Sequence, residues 1–180
     1  NVCVDGMESK DRRPEMLREI YVVPEEYNLP NLTLKQYVKV HQDFYPRFSE
    51  EILMNCLRDF EMQADVNFKH LSMGQKKKIY MSFAVASCCQ LLLMDEPTNG
   101  LDIPSKALFR KVIAGNLPAD SSLIISTHQV HDVEQLLDHV FILNNSEMII
   151  DASVEEIAKQ YEFTYRNANE MGEDVLYAES

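Results

Sequence analysis

Runs of apolar residues and helically spaced apolar residues alternate along this chain. From Leu91 to Met94 four apolar residues follow one another and stop at Asp95-Glu96-Pro97. A strand with one face in water alternates polar and apolar positions, so this run predicts a strand covered on both faces. Shorter runs, Tyr21-Val22-Val23 before Pro24 and Leu123-Ile124-Ile125 before Ser126, predict strands of the same kind, with others at His139 to Leu143 and Met148 to Ile150. Asn1 to Gly6 alternates like the end of a strand entering a turn.

Between these runs the period becomes helical. Lys76 to Cys89 places Ile79, Phe83, Ala84 and Ala86 at helical spacing, and Met81, Val85 and Cys88 widen the apolar face, which predicts a buried helix. Thr33 caps a helix through Phe44 with Leu34, Val38 and Val40 facing inward, and Ser49, followed by Glu50 and Glu51, starts another through Phe60. Pro104 to Leu117 is delimited by a proline in its first turn and Gly115 near its end. Shorter helices are expected at Arg12 to Glu19, with Pro14 in the first turn, at Val130 to Leu137, and from a Ser153 cap to about Gln160. A polar tail starts at Glu162 and includes a strand-like Asp174 to Ala178. The order gives a mostly helical stretch between two strand-rich parts.

Two carboxylates end the central run. In an open parallel sheet, ligands collect at the carboxyl ends of the strands, so Asp95 and Glu96 stand where such folds do chemistry. Paired carboxylates after a buried run are costly unless they hold a cation or are solvated in a cleft. Upstream, Ser72-Met73-Gly74-Gln75 opens the buried helix with a hydroxyl and a glycine whose backbone can be approached closely. The unpaired N–H groups and positive potential of a helix start suit an anion such as a phosphate.

Taken together, four segments in this order are similar to one family. Leu71 to Gln75 resembles the signature motif of ATP-binding-cassette proteins, and Leu91 to Glu96 their Walker B strand with its catalytic glutamate. Thr98 to Asp102 resembles the D-loop, and Ser126-Thr127-His128 the switch-histidine loop. The resemblance implies an α/β fold, a P-loop NTPase-type (RecA-like) parallel sheet with an inserted helical subdomain. That subdomain would span about 33–88, with the sheet core at 1–32 and 89–151 and a C-terminal extension at 152–180.

It also implies the ATP-binding and ATP-hydrolysing subunit of a membrane transporter, with ATP and Mg²⁺ as ligands and transport driven by ATP-dependent dimerisation. Asp95 would hold Mg²⁺ through water, Glu96 would be the general base and His128 would stabilise the γ-phosphate. Ser72, Gly74 and Gln75 would meet the ATP held by a second subunit, and Asp102 would also lie at the nucleotide. Glu25 stands where the family's Q-loop glutamine touches the metal and the attacking water, a departure shared with a subset of cassette proteins. The Thr33 to Phe60 stretch resembles small exporter-type cassettes most. The implied partners are a transmembrane permease subunit and a second ATP-binding subunit, with the chain cytoplasmic and peripheral at the inner face of the membrane.

One family motif is absent from the sequence. None of the five glycines, Gly6, Gly74, Gly100, Gly115 and Gly172, is followed by lysine, so there is no Gly-x-x-x-x-Gly-Lys-Ser/Thr loop to cradle phosphates. In the family the Val2 to Gly6 strand-turn follows that loop. The expectation is therefore a chain that represents the latter part of a cassette domain, with its strand-like ending at Ser180 open to being a cut as well, and inactive on its own. Two alternatives stay open: a soluble cassette ATPase of translation or repair, and a non-catalytic interaction module with the same fold.

Composition narrows the picture further. At 180 residues, 46% of them hydrophobic, the chain suits one domain with a substantial core. A net charge of −12 argues against free nucleic-acid binding, which needs clustered Lys and Arg. The one basic run, Lys76-Lys77-Lys78, reads as a solvated helix face. Cys3, Cys56, Cys88 and Cys89 lack metal-ligand spacing, and the adjacent pair reads as reduced core packing. His41, His70, His131 and His139 match no motif, and the nine methionines read as packing. No apolar stretch approaches the roughly 20 residues needed to span a bilayer, and no signal peptide opens the chain.

Overall fold

The computed structural model describes residues 2–160, and the Asp174 to Ala178 segment lies outside them. The chain forms two compact units, the first ending at Leu136 and the second starting at Leu137.

The first unit opens with an antiparallel hairpin of β1 (Cys3–Val4) and β2 (Met7–Glu8). Its turn residues Asp5 and Gly6 have φ of 48° and 76°, the two positive values that a type I′ turn needs. The helix expected from Arg12 to Glu19 is a single turn, α1 (Pro14–Leu17). Arg12 is left-handed at φ 47° and closes the preceding 3-10 turn, so the helix cannot start there.

After β3 (Ile20–Val23) come two capped helices, α2 (Leu34–His41) and α3 (Glu50–Asp59). Thr33 Oγ1 accepts from Gln36 N–H at 3.2 Å while Gln36 Oε1 accepts from Thr33 N–H at 2.9 Å, a reciprocal capping box. Leu34 and Tyr37 are buried, but Val40 is 57% exposed and does not face inward. At 3.6 residues per turn it lies about 240° round the helix from Leu34. A 3-10 turn, Gln42–Phe44, takes the place of the expected last helical turn.

Helix α4 (Met73–Ala86) begins three residues before the expected Lys76, so Ser72 is its cap, and it stops at Ala86, before Cys88 with φ 52°. The chain then forms β4 (Leu91–Asp95), α5 (Ile103–Asn116) and β5 (Ser122–Ser126). Two 3-10 turns, Val130–Asp132 and Glu134–Leu136, stand where one helix was expected.

The three longer strands make a parallel sheet in the order β3-β4-β5, with Val23 opposite Met94 and Asp95 opposite Ser126. Parallel neighbours need helical crossovers. Here α2, α3 and α4 join β3 to β4, and α5 joins β4 to β5, which is the α/β, P-loop NTPase-type arrangement expected. On one face Val23, Leu92 and Met94 are buried with Phe83 and Ile79 of α4. On the other, Val22 and Ile124 remain 51% and 49% exposed. The apolar run Leu91 to Met94 is therefore covered on one face among the described residues, not on both. Phe83 anchors an aromatic cluster, with ring centroids 5.1 Å from both Tyr37 and Phe48. Cys56, Cys88 and Cys89 are free and buried, as packing cysteines should be.

The second unit is a hairpin, β6 (His139–Asn144) and β7 (Glu147–Ser153), followed directly by α6 (Val154–Gln160). Ser153 caps α6, its Oγ accepting from Glu156 N–H at 3.2 Å.

Candidate functional site

The parallel register sets the carboxyl ends of β4 and β5 side by side, and the first contact there is Ser126 Oγ donating to Asp95 Oδ1 at 2.6 Å. Glu96 keeps one ladder bond, its N–H to Ser126 O at 2.8 Å, but its φ is 42°. A non-glycine residue held in the left-handed region stores about 1–3 kcal/mol and persists only where its surroundings over-determine it. The turn brings the Glu96 carboxylate to the loop after β5. Thr127 Oγ1 donates to Oε2 at 2.9 Å, His128 N–H donates to Oε1 at 2.9 Å, and His128 Nδ1 lies 2.6 Å from the same oxygen. Burial pushes the Glu96 carboxyl up, but the hydrogen bonds from His128 and Thr127 outweigh it and hold the group below the usual glutamate range. The product is an ionised carboxylate, 15% exposed, beside an imidazole that is 70% exposed. Such a pair can accept a proton at the carboxylate and present a ring nitrogen to a ligand in solvent.

A second layer fixes the loop. Gln129 N–H donates to Thr127 Oγ1 at 2.9 Å, and Lys106 of α5 reaches both Gln129 Oε1 and Asp132 Oδ2 at 2.7 Å.

Glu25, just after β3, is exposed and accepts from Asn99 Nδ2 at 2.7 Å through Oε1. Asn99 belongs to the segment that follows Glu96, so the structure gathers Glu25, Asn99, Asp95, Glu96 and His128 at one edge of the sheet. No group of three metal-ligating side chains occurs among the described residues. The available donors are the hard oxygens of Asp95 and Glu25, which fits a cation that binds through one or two carboxylates and takes its remaining ligands from phosphate and water.

The other expected residues make no side-chain hydrogen bond to Asp95, Glu96 or His128 among the described residues. Ser72 Oγ accepts from Gln75 N–H at 3.2 Å and Gln75 Oε1 accepts from Ser72 N–H at 3.0 Å, so both serve as a capping box for α4. Neither makes a hydrogen bond to Asp95, Glu96 or His128. Gly74 sits in the first helical turn, where an added Cβ would meet nothing closer than Leu101 at 4.0 Å. Packing among the described residues does not require glycine there. Asp102 caps α5, its Oδ1 accepting from Ser105 N–H at 2.9 Å, and these Ser105 hydrogen bonds hold its carboxyl below the usual aspartate range.

One residue of the cluster contradicts the sequence reading. The basic run predicts a solvated face for Lys77 and its neighbours, yet Lys77 is 6% exposed. Its ammonium donates to Glu96 O at 2.7 Å and to Asn99 O at 2.8 Å. Burial lowers the lysine's affinity for its proton, and the carboxylates of Glu25, Glu96 and Asp95 partly restore it. The signal lay in the spacing, since Lys77 shares a helical stripe with the buried Met81 and Ala84 at i+4 and i+7.

Comparison with known proteins extends this picture. A family model described as "AAA domain, putative AbiEii toxin, Type IV TA system" matches residues 8–131. The ABC transporter ATP-binding protein YtrB of Bacillus subtilis is 24% identical over 162 residues, covering 89% of this chain and 55% of the relative. The SkfA peptide export ATP-binding protein SkfE of the same organism is 25% identical over 87% of this chain and 68% of the relative. The chain thus spans about half to two thirds of the length of these curated relatives. A solved structure of an ATP-binding subunit of an ABC transporter superposes with a TM-score of 0.73 at 23% identity, covering 87% of this chain and 68% of that one. The family match takes in β3, β4, β5 and the cluster around Glu96, so the chain belongs to that AAA-domain family, and the relatives it resembles are ATP-binding proteins of an ABC transporter and of a peptide exporter.

Proposed function

We propose that the whole protein is the ATP-hydrolysing subunit of an exporter-type membrane transporter, acting as a dimer on a transmembrane permease at the inner face of the membrane. The observation that carries this reading is the Glu96 carboxylate, held ionised at the sheet edge by Thr127 and His128.

In this reading Glu96 is the general base that takes the proton of the attacking water, and His128 places its ring against the developing charge of the γ-phosphate. Asp95 and Glu25 are the groups that would hold Mg²⁺, whose charge would neutralise the phosphate oxygens when bound. Ser72, Gly74 and Gln75 present the start of α4 to the ATP of the second subunit, and the bare α-carbon of Gly74, which no internal contact demands, supports a close approach from outside. Asp102 fixes the start of α5 beside the D-loop, at the nucleotide edge of the dimer. The helices between residues 33 and 88 form the subdomain that carries this signature to the partner. Since the sequence has no glycine-lysine phosphate loop, this chain by itself should not turn ATP over. The peptide exporter subunit among its relatives supports the export direction.

The test is Glu96→Gln in the complete protein. The amide keeps the shape and loses the basic oxygen, so ATP binding should persist while hydrolysis falls by about 10²–10⁴-fold. A variant that hydrolyses ATP like the parent would remove Glu96 as the base. A soluble, non-transport cassette ATPase would give the same kinetics without a permease, whereas a non-catalytic module would show no turnover in the parent.

A further inference from the structure

Lys77 is a buried ammonium that the reaction above does not use. Its position is unusual in what it joins. It stands one turn into α4, the helix that Ser72 and Gln75 open, and its two hydrogen bonds end on the carbonyls of Glu96 and Asn99. Glu96 is held in the left-handed region, at φ 42°, and among the described residues its carbonyl receives only Lys77 Nζ at 2.7 Å and Asn99 N–H at 3.2 Å. Asn99 in turn holds Glu25. No other cation reaches this backbone among the described residues.

We propose that Lys77 is a positioning residue for the Glu96 carboxylate. Its ammonium spans the turn from Glu96 to Asn99 and stabilises the left-handed backbone that directs the carboxylate to Thr127 and His128. The same side chain ties α4 to that turn, so a displacement of the signature end of the helix is transmitted to the catalytic carboxylate. The charge matters as well as the reach. A carbonyl pair bridged by an ammonium is a charge-assisted contact, stronger than a neutral one, and the lysine faces the carboxylates of Glu25, Asp95 and Glu96 from α4.

The proposal rests on reading Glu96 as the base, and its test has one arm that does not. In the complete protein, Lys77→Met keeps the apolar stem and removes the ammonium, while Lys77→Arg keeps a cation with several donors. The first arm is amide hydrogen exchange of His128, whose N–H is held by Glu96 Oε1. Exchange at the Glu96 and Asn99 amides and at His128 should rise at least about tenfold in Lys77→Met, return toward the parent in Lys77→Arg, and stay unchanged in the hydrogen-bonded amides of α5. The second arm is ATP turnover, where kcat should fall about 10²-fold with KM within about twofold of the parent, since the substrate still binds and only the base is misplaced. If Lys77→Met is insoluble, Lys77→Gln is read in its place, because its shorter, neutral amide cannot span both carbonyls.

Unchanged protection of His128 in the ammonium-free variant overturns the proposal. So does loss of protection spread evenly through the first unit, which is the mark of a merely structural lysine. A parent that hydrolyses no ATP would instead overturn the proposed function, and the exchange arm would still decide the role of Lys77.

Discussion

At the scale of single residues, the chain concentrates its ionic contacts on carboxylates that stay charged. Glu96 is held below the usual range against the opposing effect of burial. Asp59 is lowered by Lys111 and Asn116, and Asp132, despite burial, by Lys106. A carboxyl whose folded value is depressed binds fewer protons folded than unfolded, so it contributes stability above its ordinary range that is lost as the pH falls through the depressed value. The urea midpoint should therefore hold from neutrality to about pH 5 and fall steadily below it. Asp59→Asn, which removes one such group, should lower the neutral midpoint and make the acid decline shallower. A midpoint that stays flat to pH 3 would show that these pairs do not bias folding. The places of Asp95, Glu96 and His128 at the carboxyl ends of β4 and β5 were legible because apolar runs that stop at polar residues mark strand ends. Lys77 was not, since three consecutive lysines look solvated until the helix phase is known to a residue.

Elements were readable where capping and periodicity agree. The caps at Thr33, Ser49 and Ser153 fall where side-chain oxygens could accept backbone N–H groups, and all three do so. Ends were less legible, because they depend on single residues leaving the helical region. Arg12 and Cys88 do this at φ 47° and 52°, and neither residue type announces it. The apolar run at Leu91 to Met94 indicated a strand but not how many of its faces the described residues would cover. Gly74 gives this scale its prediction. Glycine inside a helix costs about 0.5–1 kcal/mol against alanine, and the site has room for a methyl group. Gly74→Ala should raise the unfolding free energy by about that amount, yet lower ATP turnover in the complete protein by at least about tenfold if ATP approaches that α-carbon. Thermal unfolding and phosphate release measure the two. A rise in stability with full activity would leave the start of α4 without a part in the reaction.

Over the whole molecule, the fold class was legible because two parallel crossovers and their switch of period appear in the sequence. The division of labour was not, since α4 carries the Ser72–Gln75 capping box at one end and holds the Glu96 turn by Lys77 within its first two turns. Ser72 and Gln75 close on each other and make no hydrogen bond to the Glu96 cluster, which leaves the proposed sharing of one site between two copies open to test. The measurement that tests this most directly mixes two inactive subunits of the complete protein, Ser72→Arg and Glu96→Gln, and follows phosphate release. A mixed dimer would hold one site made of an intact Glu96 and an intact Ser72 from different copies. Equal mixing, with about half the dimers mixed and one of two sites active in each, should restore about a quarter of the parental rate. Activity no greater than that of the two variants measured separately would mean that Ser72 and Glu96 serve the same site from the same chain, and would contradict the arrangement.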